Sequence, residues 1–139
     1  MSSVTEGLAL RPTAIDHIGL KVTDMDKSLH FYCDVLGFEK GRAFTAGTDK
    51  NRAATISAGS QKIDLFYRED FVSADKENPV GMDHMCVDVD HVDSADALVD
   101  YLRAAGVEVM WGPVQRYGRT SVYVYDPDGV HVELRFKAD

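Results

Sequence analysis

The sequence predicts an α+β fold in which two βαβββ modules, in a pseudo-twofold arrangement, form a curved mixed sheet around a cavity. The first observation is an internal repeat, since IDHIGLKV at residues 15–22 is followed by MDHMCVDV at residues 82–89. The second is that IDLFY at residues 63–67 is matched by VELRF at residues 132–136. Self-similarity at one period indicates a repeated structural unit.

Each module is expected to contain one strand, one helix and about three further strands. In the first module, Asp24 suits a helix start and Gly37 a left-handed helix end. In the second module, Asp93 or Ser94 is the cap and Gly106 the end. Apolar residues at helical spacing lie between these signals: Leu29, Tyr32, Cys33 and Leu36 in the first helix, and Ala95, Leu98, Val99 and Leu102 in the second.

The modules are expected to span about residues 14–67 and 82–137 and to be joined by the polar stretch Arg68–Pro79. Neither half alone has enough apolar area for a secure core, so residues 13–139 are predicted to form a single domain. Residues 1–12 are expected to be a flexible tail.

Composition excludes several classes of protein. The 139 residues are 45% hydrophobic and 27% charged, which is typical of globular proteins. The formal net charge of -8 disfavours nucleic acid and anionic membranes as partners. The start MSSVTEGLALRP lacks the features of a signal peptide, and Cys33 and Cys86 form no CxxC motif. These features predict a cytoplasmic protein with reduced thiols.

Strand alternation places polar side chains of four strands on one surface. If the aliphatic faces cover the helices, the opposite faces carry His17, Asp64, His84 and Glu133 toward a common concave surface. The same alternation brings Phe66, Cys86 and His131 to that surface as pocket residues. Asp16 and Asp83, which precede the two histidines, are expected to point the other way and to make turn or strand-edge hydrogen bonds.

Two histidines and one or two carboxylates from different strands are suitable donors for a divalent metal, namely Fe, Ni, Zn, Mn or Co. Ligands on one side of the ion leave open positions for substrate oxygens, which the metal can polarise. We therefore predict a metal site with His17, His84 and Glu133. The short side chain of Asp64 leaves two interpretations open, a direct ligand or a carboxylate beside the ligands.

Three segments resemble the vicinal oxygen chelate superfamily: IDHIGLKVTDMDKSLHFYCDVLGFE, MDHMCVDV and YVYDPDGVHVEL. That superfamily includes glyoxalase I, bleomycin-resistance proteins, fosfomycin-resistance proteins, methylmalonyl-CoA epimerase and extradiol dioxygenases. The resemblance extends from about Thr13 to Phe136. Within the superfamily, GPVQRYGRTSVYVYDPDGVHVEL is similar to small glyoxalase-domain proteins described as virulence or dioxygenase-related proteins.

The resemblance implies an enzyme in which a divalent metal chelates two adjacent oxygens of a small substrate. Metal ligands carry over to His17, His84 and Glu133, and Asp64 stands where glyoxalase-like lyases have a Glu. A lyase or isomerase would use Asp64 or Glu133 to move a proton. Short two-module members often dimerise and build one site from both chains, so a homodimer is expected.

Three alternatives remain open at this point. An extradiol dioxygenase is suggested by Tyr123, ten residues before Glu133, but GPVQRYGRTSV lacks the loop histidine of those enzymes. Thiol transfer to a phosphonate would need basic residues, for which the candidates are Lys21, Arg52, Arg116 and Arg119. A binding protein of the bleomycin-resistance kind would use aromatic side chains, for which the candidates are Phe44, Phe66, Trp111 and Tyr123.

Overall fold

A computed structural model describes these residues of the chain: 10–48 (42–48 as backbone alone), 50–72 and 82–137. Most of the expected tail at residues 1–12, most of the stretch Arg68–Pro79 and the side chain of Phe44 lie outside the described residues. No helix in the described part of the chain combines the length and apolar character that a membrane-spanning helix requires.

The first module forms a four-stranded mixed sheet with one helix. Its strands are β1 (His17–Val22), β2 (Glu39–Thr48), β3 (Asn51–Ala58) and β4 (Gln61–Arg68). Their order in the sheet is β1-β4-β3-β2, with β1 parallel to β4 and the other neighbours antiparallel. Helix α1 (Met25–Leu29) begins at Asp24, whose carboxylate accepts a hydrogen bond from the Lys27 N–H at 3.0 Å.

The second module repeats this arrangement. Its elements are β5 (Met85–Asp88), α2 (Ala95–Ala104), β6 (Val109–Arg116), β7 (Arg119–Tyr125) and β8 (His131–Phe136). The sheet order is β5-β8-β7-β6, again with one parallel pair, β5 with β8. Of the two predicted caps, Ser94 accepts the hydrogen bond, from the Ala97 N–H at 3.1 Å. The predicted fold of two βαβββ modules is confirmed.

The first helix packs the stripe that its sequence predicted and buries further residues beside it. Tyr32 is buried, and Leu29, Cys33 and Leu36 are partly buried against the core. Met25, Ser28, Phe31 and Val35 are buried as well. The helix departs from the 3.6-residue period because α1 continues as a π-helix over His30–Val35, in which the Leu36 N–H donates to the carbonyl of Phe31, five residues back.

Apolar residues of both modules pack into one cluster that lies between the sheets and the helices. Polar contacts join the modules beside this core. The Tyr32 hydroxyl donates to Asp126 at 2.8 Å, and the Tyr101 hydroxyl donates to the carbonyl of Val35 at 2.7 Å. The carboxylate of Asp128 accepts from the backbone N–H and the hydroxyl of Thr23. The DPDG turn at residues 126–129 therefore ties the second module to the first.

Candidate metal centre

The face of the first sheet that turns away from the core carries the first histidine–carboxylate pair. Along β4, Ile63 and Leu65 are buried while Asp64 and Phe66 are not, as alternation predicted. Asp64 lies opposite Gly19, two residues after His17 on β1. This register brings Nε2 of His17 to 3.4 Å from the Asp64 carboxylate. The Thr55 hydroxyl, on the strand beside it, donates to Asp64 at 2.7 Å.

The second sheet carries an equivalent pair. Nε2 of His84, the residue just before β5, lies 3.0 Å from Oε1 of Glu133 on β8. The side chain of His84 is 34% exposed, whereas that of Glu133 is only 11% exposed. The carboxylate is therefore held inside the sheet face, and the imidazole lies above it at the surface.

The other ring nitrogen of each histidine, Nδ1, also contacts a carboxylate. Nδ1 of His17 lies 2.9 Å from Asp16, and Nδ1 of His84 lies 2.7 Å from Asp83. The expectation that both aspartates point away from the histidines is wrong. The reason is that Asp16 and Asp83 precede their strands, so the alternation rule does not apply to them.

Glu133 is the most heavily hydrogen-bonded of the four predicted ligands. Burial raises the pKa of this carboxyl, but hydrogen bonds from Ser121 and Tyr123 and the charge of His84 outweigh it, so the pKa lies below the ordinary glutamate value. The Ser121 hydroxyl donates to Oε2 at 2.6 Å. Sequence reasoning missed Ser121 as well as Thr55. The S-x-Y spacing before DPDG was visible, but a serine is too common in strands to stand out.

Of the predicted pocket residues, Tyr123, Trp111 and Cys86 lie near the second pair, whereas Phe66 lies on β4 of the first module. Tyr123 lies directly across from Glu133, and its ring contacts His84 edge-on at a centroid distance of 5.8 Å. Trp111, 51% exposed, tilts against Tyr123 with centroids 5.2 Å apart. Cys86 lies across from Glu133 on β5, and burial together with the charge of Glu133 raises the pKa of its thiol. The ring of His131 on β8 packs against that of Tyr125 on β7, with the ring centroids 5.1 Å apart.

Within the described residues of one chain, the two pairs remain separate. No group of three or more His, Cys, Asp or Glu side chains there is close enough to hold a metal ion. A cavity of about 550 Å³ lies between β1 and β5, and it is lined by His17 from the first module and Cys86 from the second.

The chemistry of each pair fits a divalent ion. When two ligand atoms each lie about 2.1 Å from the same ion, the distance between them is about 3.0 Å in octahedral geometry and about 3.4 Å in tetrahedral geometry. The Nε2–carboxylate distances of 3.0 Å at His84 and 3.4 Å at His17 fall at these values. A carboxylate on Nδ1, as provided by Asp16 and Asp83, fixes the tautomer whose Nε2 lone pair can bind a metal.

A protein-family model described as the Glyoxalase/Bleomycin resistance protein/Dioxygenase superfamily matches residues 14–134. The chain therefore belongs to this superfamily. It is 33% identical over 125 residues to "Virulence protein STM3117" of Salmonella typhimurium, covering 86% of this chain and 81% of that protein. It is 32% identical to a "Probable lactoylglutathione lyase" of Vibrio cholerae, covering 85% and 86% of the two chains.

The fold is also similar to solved structures. A glyoxalase/dioxygenase from Nostoc punctiforme superposes with a TM-score of 0.74 at 26% identity. The superposition covers 94% of this chain and 97% of that one.

Proposed function

We propose that this protein is a metal-dependent enzyme of the lyase or isomerase type, which moves a proton on a small substrate bearing two adjacent oxygens. One observation carries the proposal: each module places a histidine Nε2 beside a carboxylate, at 3.4 Å in the first and 3.0 Å in the second. In both modules a preceding aspartate holds the other ring nitrogen. A repeated arrangement of this kind is not needed for packing, because it lies on the sheet faces away from the core.

In the proposed centre, His17, His84 and Glu133 hold the divalent ion. The low pKa of Glu133, maintained by Ser121 and Tyr123, keeps this carboxylate ionised and available as a ligand. When bound, the ion supplies Lewis-acid polarisation of the two substrate oxygens.

We assign the proton transfer to Asp64. Its carboxylate accepts from the Thr55 hydroxyl at 2.7 Å and lies on the open face of the sheet with a side chain 17% exposed. In the reaction, the carbon next to the substrate carbonyl loses its proton to an Asp64 oxygen, and the C–H electron pair moves toward the carbonyl. Asp64 then returns the proton to the former carbonyl carbon, while the hydroxyl proton of the first carbon passes to the former carbonyl oxygen, so that the hydroxyl and carbonyl exchange places and Asp64 ends the cycle ionised.

We further propose that the complete site is shared between two copies of the chain, with His17 and Asp64 from one and His84 and Glu133 from the other. Among the described residues of one chain the two pairs are separate, so one chain alone does not bring His17, His84 and Glu133 together. A divalent transition metal takes four or more ligands, so these three leave room for substrate oxygens. The sheet faces beside the pairs also carry apolar side chains that a second copy would cover. Phe66 lies next to the first pair and is 38% exposed, and Trp111 lies near the second pair.

The metal site is tested by titrating chelator-stripped protein with Co²⁺, Ni²⁺, Zn²⁺, Mn²⁺ and Fe²⁺. We expect one ion per chain in the wild type, and loss of tight binding in Glu133→Ala because an essential ligand is removed. Asp64→Asn should retain the ion, since Asp64 is assigned to the proton. Asp34→Asn, which alters an exposed carboxylate paired with His30 on the first helix, serves as the control. Failure of every metal to bind the wild type would contradict the proposal.

The reaction is tested by following hydrogen exchange at carbon. Metal-loaded protein is incubated in D₂O with α-hydroxyketones and with the hemithioacetal of a 2-oxoaldehyde, and loss of the C–H signal is measured by proton NMR. We expect exchange in the wild type and a loss of about a hundredfold or more in Asp64→Asn, the usual scale for a general acid–base group. Consumption of dissolved oxygen with a catechol, without carbon exchange, would instead support the dioxygenase alternative.

A further inference from the structure

We propose that the substrate of this site carries an oxyanion, such as a carboxylate or phosphate, which binds in an arginine-lined cavity beside Glu133. The inference rests on the proposed function and specifies its substrate class. The cavity has a volume of about 380 Å³ and is lined by Arg116, Tyr117, Arg119, Ser121, Glu133 and Arg135. It thus shares Ser121 and Glu133 with the candidate metal centre.

The charge of this cavity contrasts with that of the chain. The protein has a formal net charge of -8, yet three of its eight arginines line this one space. Of the other basic residues considered from sequence, Arg52 pairs with Asp26 at 3.2 Å and Lys21 lies over the Phe71 ring, so neither lines this cavity. Guanidinium groups have the planar donor geometry that matches carboxylate and phosphate oxygens.

Two of the arginines lie opposite each other in the sheet. Arg116 and Arg119 are direct cross-strand partners at the end of the β6–β7 hairpin. Like charges opposite each other destabilise a strand pair, so an anion between them would relieve this repulsion. The hairpin residues that join them, Tyr117 and Gly118, both have positive φ, at 53° and 77°. Tyr117 has this conformation although it is not glycine, and its side chain is fully exposed beside the cavity.

The strand register gives the distance between the anion and the metal centre. Arg135 follows Glu133 by two residues on β8, which is roughly 7 Å along a strand. Ser121 lies across from Arg135. Arg119 is two residues before Ser121 on β7, which is roughly a further 7 Å along the strand, away from Glu133. The substrate is therefore expected to carry its oxyanion several bonds from its two chelating oxygens.

Asp88 already neutralises part of this charge. Its carboxylate accepts from Nε and Nη2 of Arg135 at 2.6 and 2.9 Å, and Nη1 of Arg119 lies 3.5 Å away. Arg116 donates to the Tyr123 hydroxyl at 3.3 Å and lies over the Trp111 ring. Asp88 therefore competes with an incoming anion mainly for Arg135, and Arg119 is the guanidinium we assign as the principal anion contact.

The test uses metal-free protein at low ionic strength, with NMR titrations of inorganic phosphate and acetate and with acetamide as the neutral counterpart of acetate. We expect saturable shifts at the β6–β7 hairpin with phosphate or acetate and none with acetamide. The relative affinities of the two anions identify which oxyanion the cavity prefers. Arg119→Gln should weaken binding about tenfold, as expected for loss of a charge-assisted hydrogen bond, and Asp88→Asn should strengthen it.

Two controls separate this inference from the proposed function. Arg103→Gln removes an exposed arginine on α2 and should leave anion binding unchanged. Arg119→Gln should retain the wild-type Co²⁺ affinity, because Arg119 is not a metal ligand; Arg119→Lys gives a second variant with the charge retained. Anion affinity that is the same in wild type, Arg119→Gln and Arg119→Lys would overturn the inference, whether or not the metal binds. Loss of metal binding alone would count against the proposed function instead.

Discussion

The carboxylate of Glu133 interacts with the hydroxyl of Ser121, the phenol of Tyr123 and the imidazole of His84. Its charge state therefore governs the His84–Glu133 pair of the candidate site. Its lowered pKa means that the folded protein favours the ionised form more than the unfolded chain does. The resulting stability is present above the ordinary glutamate pKa and is lost as the pH falls through the lowered pKa of the folded state. Acid should therefore weaken both the fold and the metal affinity through this residue.

Ser121 is the group whose removal tests this description. In Ser121→Ala the carboxylate loses a hydrogen bond of 2.6 Å, so the pKa of Glu133 should rise toward the ordinary value. Metal affinity should fall about tenfold, the lower end of the effect of removing a group that hydrogen-bonds a ligand. Carbon NMR of the glutamate carboxyl across acid pH measures the first change, and Co²⁺ titration the second.

Ser121→Thr retains the hydroxyl and is the matched control for this prediction. It should keep the low pKa of Glu133 and the metal affinity of the wild type. If Ser121→Ala left both quantities at their wild-type values, the hydrogen bond would not hold Glu133 in its ionised form.

At the residue scale, sequence predicted the histidine–carboxylate pairs because strand alternation and the internal repeat both point to the same side chains. It could not predict their partners. The contacts of Ser121 and Thr55 depend on which strands become neighbours, and the positions of Asp16 and Asp83 depend on where each strand begins. Neither property is encoded in the local pattern of apolar residues.

At the scale of elements, the β6–β7 hairpin links the aromatic and arginine sides of the second sheet. Gly112 has a positive φ of 107°, and a Cβ built there would lie 2.8 Å from the carbonyl oxygen of Ser121. The close approach of the two strands at this point therefore requires glycine.

Gly112→Ala should lower the free energy of unfolding by about 2 kcal/mol or more, because it combines a positive φ with a clash against backbone. Gly59→Ala is the matched control, since Gly59 has a φ of 62° and nothing lies within 4 Å of a Cβ there. This control should cost about 1 kcal/mol. Urea unfolding of both variants measures the difference, and equal costs would contradict the importance of the close approach.

The helices show what local patterns can and cannot predict. The stripe Ala95, Leu98, Val99 and Leu102 of α2 faces the core as predicted, because a regular α-helix keeps the 3.6-residue period. The stripe of the first helix also packs against the core, but the π-helix over His30–Val35 changes the period and buries Phe31 and Val35 as well, which the stripe did not include. That change accompanies the burial of Phe31 and Tyr32 side by side, and Tyr32 reaches Asp126 in the other module. Such long-range packing cannot be predicted from a helical window.

At the scale of the whole molecule, the repeat determines both the core and the site. The two modules share one apolar cluster, and the DPDG turn and Tyr101 join them through hydrogen bonds. We propose that they fold as a single unit for this reason. The two histidine–carboxylate pairs lie on the opposite faces of the sheets, where the core does not constrain them. A second copy of the chain can then bring one pair of each kind together.

The most direct test of this account is to count the Co²⁺ ions bound by a mixed dimer of His17→Ala and His84→Ala chains, purified through two different tags. If the site is shared, one site of the mixed dimer lacks both histidines, and the other combines an intact His17–Asp64 pair with an intact His84–Glu133 pair. We predict one tightly bound ion per mixed dimer, none in either parent variant and two per wild-type dimer. A mixed dimer that binds no ion, or a metal-loaded wild type that remains monomeric, would contradict the shared metal centre.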